Sequence, residues 1–382
     1  MNVFYPVPEF MFSPQARFIQ IINTANSIAK TGSRVKLISG KQHGVDKKGI
    51  FDYFDVIPQD NLEMVFLPIL RRNSHFWPPS IGMVFNVSLL AYLIAHRGEG
   101  VVFVRHPKLA ACLARWQKYF KMPIIFESHE IFHLTTEKPE KKKKFKDMES
   151  FVYDSVDGII TISSQLREEL GQIFHVNGKP IVIIPNALRS ELIRSEAIPE
   201  QRGEYVFYAG GLYPWKGVGT LIHAMEHLPG EKLLIVGGGD NLKELTDLAK
   251  KLGLNGRVSF TGSVSQKQVM GYMGSAKIAV IPNVLNKPST HSSPLKMFEF
   301  MAKGLPIVAS NIPGISDVLT DGVNVMLFEP GDVRALASAI KYLVENPATA
   351  AALGENARRL AQNYTYEKRA ERIISFIKDA TG

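Results

Sequence analysis

Short apolar or β-branched runs punctuate the chain at positions 35–39, 101–104, 124–126, 158–162, 181–184, 205–209, 232–236, 258–261, 278–281, 306–309 and 325–328. Between most of them lie longer segments with apolar residues at three- and four-residue steps, the period of an amphipathic helix, as at 16–30, 108–120, 242–252 and 333–344. Repeated strand–helix–strand units predict parallel sheets covered by helices on both faces, an α/β fold of doubly wound sheets. The pattern breaks between about 185 and 202, where Pro185-Asn186 ends a run and the polar stretch 195–204 carries Pro199 and Gly203. Two Rossmann-like domains are expected, 1–198 and 199–365, with the C-terminal helix 366–382 joining the first. In open α/β sheets ligands bind beyond the carboxyl ends of the strands. Two such domains facing each other would make a cleft, and strand ends are where chemistry is sought.

Composition changes this picture little. The chain has 382 residues, 45% hydrophobic and 21% charged, enough apolar residues for two cores. Its single cysteine, Cys112, cannot form an internal disulfide. The opening MNVFYPVPEF lacks a basic segment followed by an apolar one, so no signal peptide is expected. The greasiest stretch, 81–95, falls short of the ~20 residues needed to span a bilayer and reads as a buried core helix. The formal net charge is +9, and Lys141, Lys142, Lys143 and Lys144 form one run. A basic face suits an anionic membrane, an anionic substrate or nucleic acid, and equally a solvated helix surface. No aromatic-and-basic motif of the recognised nucleic-acid modules is present, so nucleic acid is not expected as a partner. The ten histidines and one cysteine show no metal-ligand spacing, and no metal or cofactor is expected.

Two strand ends of the second half have residues that suit a phosphate, though each alone could equally be a strand–helix loop with a surface lysine or an exposed charged helix face. The first reads Gly210-Gly211-Leu212-Tyr213-Pro214-Trp215-Lys216-Gly217 and then opens a helix. Paired glycines admit a ligand close to the backbone, a helix start offers unpaired N–H groups, and Lys216 adds a positive charge. The second reads His291-Ser292-Ser293-Pro294-Leu295-Lys296-Met297-Phe298-Glu299 and continues to Gly304-Leu305-Pro306. Ser293 suits an N-cap and Pro294 the first helical position, and anions are favoured at such a terminus. The Glu299 carboxylate can accept hydrogen bonds from both vicinal hydroxyls of a ribose. The glycines Gly237, Gly238 and Gly239 end another run. In the first half His129 follows the run 124–126, and Arg105 follows 101–104, where it can touch acceptor or phosphate or pair with Glu127 or Glu130, the pairing being the expectation.

Taken together these motifs resemble the retaining family-4 glycosyltransferases of the GT-B fold, over essentially the whole chain. The resemblance is strongest at 210–217 and at 292–332. It implies that Lys216 binds the donor diphosphate, that Glu299 holds the ribose, and that amides near Ser292, Ser293, Pro294 and Leu295 meet the phosphates. It also implies that Gly210, Gly211, Gly237 and Gly238 line the nucleotide site, with His129 near the transferred sugar. The catalytic set implied is His129, Lys216 and Glu299. The activity implied is hexosyl transfer from a UDP- or GDP-sugar to a glycan or lipid-linked acceptor, in polysaccharide biosynthesis. With no signal peptide a cytoplasmic location is expected, and Lys141–Lys144 offer either a docking patch for the inner membrane face or a solvated helix surface. Two positions depart from the family pattern: Gly211 stands where many members have an arginine, and His291 where they have a first glutamate. A sugar-nucleotide epimerase or phosphorylase of the same architecture, or a two-domain binding protein, are the competing readings.

Overall fold

The strands and helices alternate as that pattern requires. The computed structural model describes residues 1–11, 15–41, 44–69, 81–136, 138–176, 178–193 and 203–382. The chain divides into two compact units: Met1–Pro185 together with Tyr366–Gly382, and Asn186–Thr365. Most of the polar stretch expected to link two domains, including Pro199, lies outside the described residues.

The first unit runs β1 (Asn2–Val7), α1 (Ala16–Lys30), β2 (Arg34–Gly40), α2 (Lys47–Tyr53), β3 (Leu62–Leu67), α3 (Ile81–Ala95) and β4 (Val101–Val104). It continues with α4 (Pro107–Phe120), β5 (Ile124–Ser128), α5 (Phe132–Thr135), α6 (Pro139–Ser155), β6 (Gly158–Thr161), α7 (Ser164–Ile173) and β7 (Ile181–Ile183). The seven strands are parallel in the order β3-β2-β1-β4-β5-β6-β7, the chain reversing direction across the sheet between β1 and β4. Side chains alternate between two apolar layers: Val101 and Phe103 of β4 enter one, Val102 and Val104 the other. Strands buried on both faces therefore read as continuous apolar runs.

The second unit runs β8 (Tyr205–Ala209), α8 (Val218–Ala224), β9 (Leu233–Val236), α9 (Leu242–Lys251), β10 (Val258–Phe260), α10 (Gln266–Gly274) and β11 (Ala276–Ile281). Then come α11 (Lys287–His291), α12 (Leu295–Ala302), β12 (Ile307–Ser310), α13 (Pro313–Ser316), β13 (Met326–Phe328), α14 (Val333–Glu345) and α15 (Pro347–Ala361). Its six parallel strands follow the order β10-β9-β8-β11-β12-β13. The last helix, α16 (Tyr366–Thr381), returns to the first unit and packs on α1. There Ala370, Ile373, Phe376 and Ile377 enter the same apolar layer as Tyr5 and Phe103.

One expectation is corrected. The helix at 81–95 is not buried all round. Phe85, Leu89 and Leu93 are fully buried, whereas Met83, Val87 and Ile94 are exposed. A 15-residue helix beside a sheet buries one face only, whatever its hydropathy. No helix among the described residues is long and apolar enough to cross a membrane.

Candidate functional site

In the second unit, the loops after β8 and β9 lock together through their backbones. Gly210 N–H donates to Val236 O at 3.0 Å, Leu212 N–H to Gly238 O at 2.9 Å, and Gly237 N–H to Gly262 O at 3.0 Å. A Cβ on Gly237 would lie 1.9 Å from Gly210 O, so glycine is required for the crossing. Between the loops the chain makes a 3-10 turn over Pro214–Lys216, and Gly217 enters α8 with φ +67°. This turn is tied to the segment leading into α12: Val284 N–H and Ser289 Oγ–H both donate to Trp215 O at 3.1 Å.

Lys216 is half-buried, its Nζ 3.9 Å from the centroid of the Trp215 ring. Among the described residues it forms no ion pair. Burial without a counter-charge lowers its pKa to about 8. An ammonium so placed is stabilised by an incoming anion. Trp215 stacks with Tyr213, centroids 6.3 Å apart and planes 6° off parallel. A Cβ on Gly211 would meet the Tyr213 ring at 2.5 Å. The space for a side chain at 211 is thus taken by the Tyr213 ring.

The entry to α12 differs from the expected cap. Pro294, not Ser293, holds the N-cap position, and no side chain caps the helix. Ser293 is drawn elsewhere, its Oγ accepting from Asn186 N–H at 3.2 Å while its carbonyl accepts from Asn186 Nδ2 at 2.6 Å. Ser292 Oγ donates to Ser289 O at 2.8 Å. The first amides of α12, at Leu295 and Lys296, are therefore left without a side-chain acceptor, a terminus suited to phosphate oxygens. Glu299 projects from the same helix. Its Oε2 accepts from Lys296 Nζ at 2.7 Å and its Oε1 from Gln266 Nε2 at 3.2 Å. Lys296 and Gln266 escaped the sequence reading. The first lies within the motif at helical spacing, but the second is 33 residues away with no local signal. His291 is buried at the end of α11. Among the described residues no three His, Cys, Asp or Glu side chains gather as metal ligands.

In the first unit, His129 sits beyond β5 in a buried charged cluster. Glu127 Oε1 accepts from His129 Nε2 at 2.7 Å and from Arg369 Nη2 of α16 at 2.6 Å. Burial opposes the Glu127 charge, but Arg369 and His129 outweigh it and hold the carboxyl well below the usual range. Burial, then the Arg105 guanidinium, lowers the His129 pKa to about 4. The ring is neutral at pH 7, with its proton on Nε2 facing the carboxylate and its Nδ1 lone pair toward Arg105 Nη2 at 3.4 Å. Arg105 bonds Gln20 Oε1 at 3.3 Å and His129, rather than pairing with Glu127 or Glu130 as expected. Glu127 takes Arg369 instead, a partner 242 residues away.

Comparison with known proteins agrees with this geometry. Residues 19–192 match the family model described as Glycosyltransferase Family 4, and residues 189–360 that of Glycosyl transferases group 1. A glycogen synthase of Mycobacterium tuberculosis is 28% identical over 228 residues, 58% of this chain and 53% of its own length. The chain thus spans about half the length of that relative. A D-inositol 3-phosphate glycosyltransferase of Xylanimonas cellulosilytica is 24% identical over 319 residues, 75% of this chain and 74% of its own. Among solved structures, sucrose-phosphate synthase from Thermosynechococcus elongatus superposes with a TM-score of 0.78 at 20% identity, covering 99% of this chain and 98% of that one. HepE of Anabaena, in complex with UDP and glucose, gives 0.73 at 18% identity, covering 98% and 99%. Two parallel sheets of this topology and two consecutive family matches define a glycosyltransferase of the GT-B fold. Within that class the chain belongs to family 4.

Proposed function

We propose that this chain transfers a hexosyl group from a UDP- or GDP-sugar to a glycan or lipid-linked acceptor, with retention at the anomeric carbon. The observation that carries the reading is Lys216: a half-buried ammonium without an ion pair among the described residues, on a turn tied to the segment that leads into α12. On this reading Lys216 and the first amides of α12 bind the donor diphosphate, and Glu299 exchanges its bonds to Lys296 and Gln266 for the ribose hydroxyls. The glycines 210, 211, 237 and 238 let the nucleotide approach the backbone. UDP bound to the similarly folded HepE supports a nucleoside diphosphate as ligand class.

Transfer then proceeds on one face of the sugar. The anomeric carbon–oxygen bond to the diphosphate breaks, the acceptor oxygen bonds to that carbon, and the departing phosphate oxygen takes the acceptor proton. Catalysis comes from positioning and from stabilising the leaving charge, with no metal assigned a role. Neutral His129 is read as a contact to the transferred sugar. The exposed lysines 141–144 on α6 are read as a basic surface toward an anionic membrane carrying the acceptor, which implies a cytoplasmic, peripheral location.

A thermal-shift panel of nucleoside diphosphates and their sugars tests the donor site, because a ligand that binds only the folded chain raises its melting temperature. Lys216→Ala and Glu299→Ala are each expected to weaken donor binding or turnover tenfold or more, about 1.4 kcal/mol. Wild-type behaviour of both variants would remove the proposed site. Proton NMR of fresh product reads the anomer, and an inverted one overturns retention.

A further inference from the structure

The outward face of α3 is apolar where a solvent-facing helix is ordinarily polar. Met83, Val87, Ala91 and Ile94 lie on one stripe and turn away from the core, with Met83 55% and Val87 59% exposed. The whole helix contains no charged residue. α4 packs beside it and exposes Trp116 and Tyr119, whose rings lie 5.3 Å apart. α4 carries Lys108, Arg115 and Lys118 and no acidic residue, and Lys118 Nζ lies 5.1 Å over the Tyr119 ring. On its other flank α4 packs against α6, where Lys141–Lys144 are exposed. The same face of one sheet thus bears an apolar stripe, an amphipathic aromatic pair and a basic flank, side by side.

We propose that the α3–α4 face docks on an anionic lipid bilayer. The α3 stripe enters the boundary between headgroups and acyl chains, Trp116 and Tyr119 sit at headgroup depth, and the basic side chains of α4 and α6 meet anionic headgroups. Charge complementarity selects this occupant. A second copy of the chain would set one basic flank against another, whereas an anionic bilayer satisfies apolar stripe and cations together. At ~1.5 Å per residue, 15 residues give a helix of about 22 Å, suited to lying in the interface. The inference deepens the membrane reading given to the α6 lysines and moves the seat of binding to α3. It needs neither donor nor acceptor, so it fails or stands apart from sugar transfer.

The test is co-sedimentation of the full chain with phosphatidylcholine vesicles, with and without phosphatidylglycerol, alongside tryptophan quenching by brominated lipid. Wild type is expected to bind the anionic vesicles and to show quenching that disappears in Trp116→Phe. Val87→Glu and Ile94→Gln, both at exposed positions, are expected to lower vesicle affinity tenfold or more with melting temperature and nucleotide-induced melting shift unchanged. Replacing Lys141–Lys144 with glutamine is expected to weaken binding less and to reduce its salt sensitivity. Wild-type affinity in Val87→Glu, or no binding to anionic vesicles at low salt, overturns the proposal. So does a dimer, seen by sedimentation velocity, that Val87→Glu dissociates, since the face would then be a protein interface.

Discussion

Lys216 is a cation held partly out of water with no ion-pair partner among the described residues, and this makes its ligand affinity depend on pH. With a pKa of about 8 in the free protein, the ammonium is largely protonated at pH 7 and is lost as pH rises through 8. Nucleoside diphosphate affinity is expected to hold below about pH 8 and to fall by up to tenfold per unit above it. The proton missing from the free protein must then be recovered on binding. Calorimetric titration of UDP from about pH 7 to about 9.5 checks this, and Lys216→Arg is expected to flatten the profile because guanidinium stays charged. Gly217 supports the same turn: its φ is +67°, and a Cβ there would lie 1.8 Å from Pro282 O. Gly217→Ala is expected to cost about 2 kcal/mol or more, read from urea midpoints. His106 caps α4, its Nδ1 accepting from Leu109 N–H at 3.2 Å, so it must be neutral to serve. Burial, then Lys108 and Arg17, lowers its pKa to about 4 from 6.5. The unfolded chain therefore takes up this proton first, and stability that is full above about pH 6.5 is lost as pH falls toward 4, by up to about 3 kcal/mol. Asparagine caps without titrating, so His106→Asn should shrink the difference between urea midpoints at pH 7 and pH 5. Lys216 and Glu299 could be picked out from the sequence because glycines and a helix start surround them. Gln266 and Asn186 could not, because their partners are far along the chain and only folding brings them near.

At the scale of elements, the runs at 101–104 and 205–209 coincide with β4 and β8 to the residue, and the segment 16–30 coincides with α1. Strands buried on both faces and helices with one apolar face announce themselves by pattern. β1 and β3 do not: Pro6 stands inside the β1 run, and β3 is an edge strand whose apolar run Glu63 interrupts. The α12 entry was misread in detail because Ser293 has two possible uses, and the distant Asn186 decides between them. The buried link between α16 and β5 was invisible for the same reason. Arg369 spends its guanidinium on Glu127 Oε1, Thr24 Oγ1 and Pro185 O. Removing one partner strands the other charge, so Arg369→Met is expected to cost about 3–5 kcal/mol. Adding Glu127→Gln should recover part of that loss, and a double-mutant cycle measured by urea unfolding gives the coupling. Simple additivity would mean that the pair contributes nothing of its own.

For the whole molecule, the two-sheet architecture was legible because each half repeats its own strand–helix period. The excursion of α16 back to the first unit is recorded in burial: Ala370, Ile373, Ile374, Phe376 and Ile377 fill a layer otherwise built from the first 185 residues. The donor reading assigns the nucleotide to the other unit. If scanning calorimetry resolves two transitions, UDP is expected to raise one and leave the other, and lowering the pH to about 5 is expected to lower the one that UDP leaves.

The route of α16 also has a consequence for synthesis. On the ribosome the first seven strands emerge early, yet the helix that covers α1 and neutralises Glu127 follows only after all of Asn186–Thr365 has been translated. At about 5–20 residues per second that delay is on the order of ten to forty seconds. Throughout it the nascent first sheet carries an uncovered apolar groove and a carboxylate awaiting its arginine. The second unit, whose segments are contiguous, can complete itself first, so the order of maturation in this chain runs against the order of translation.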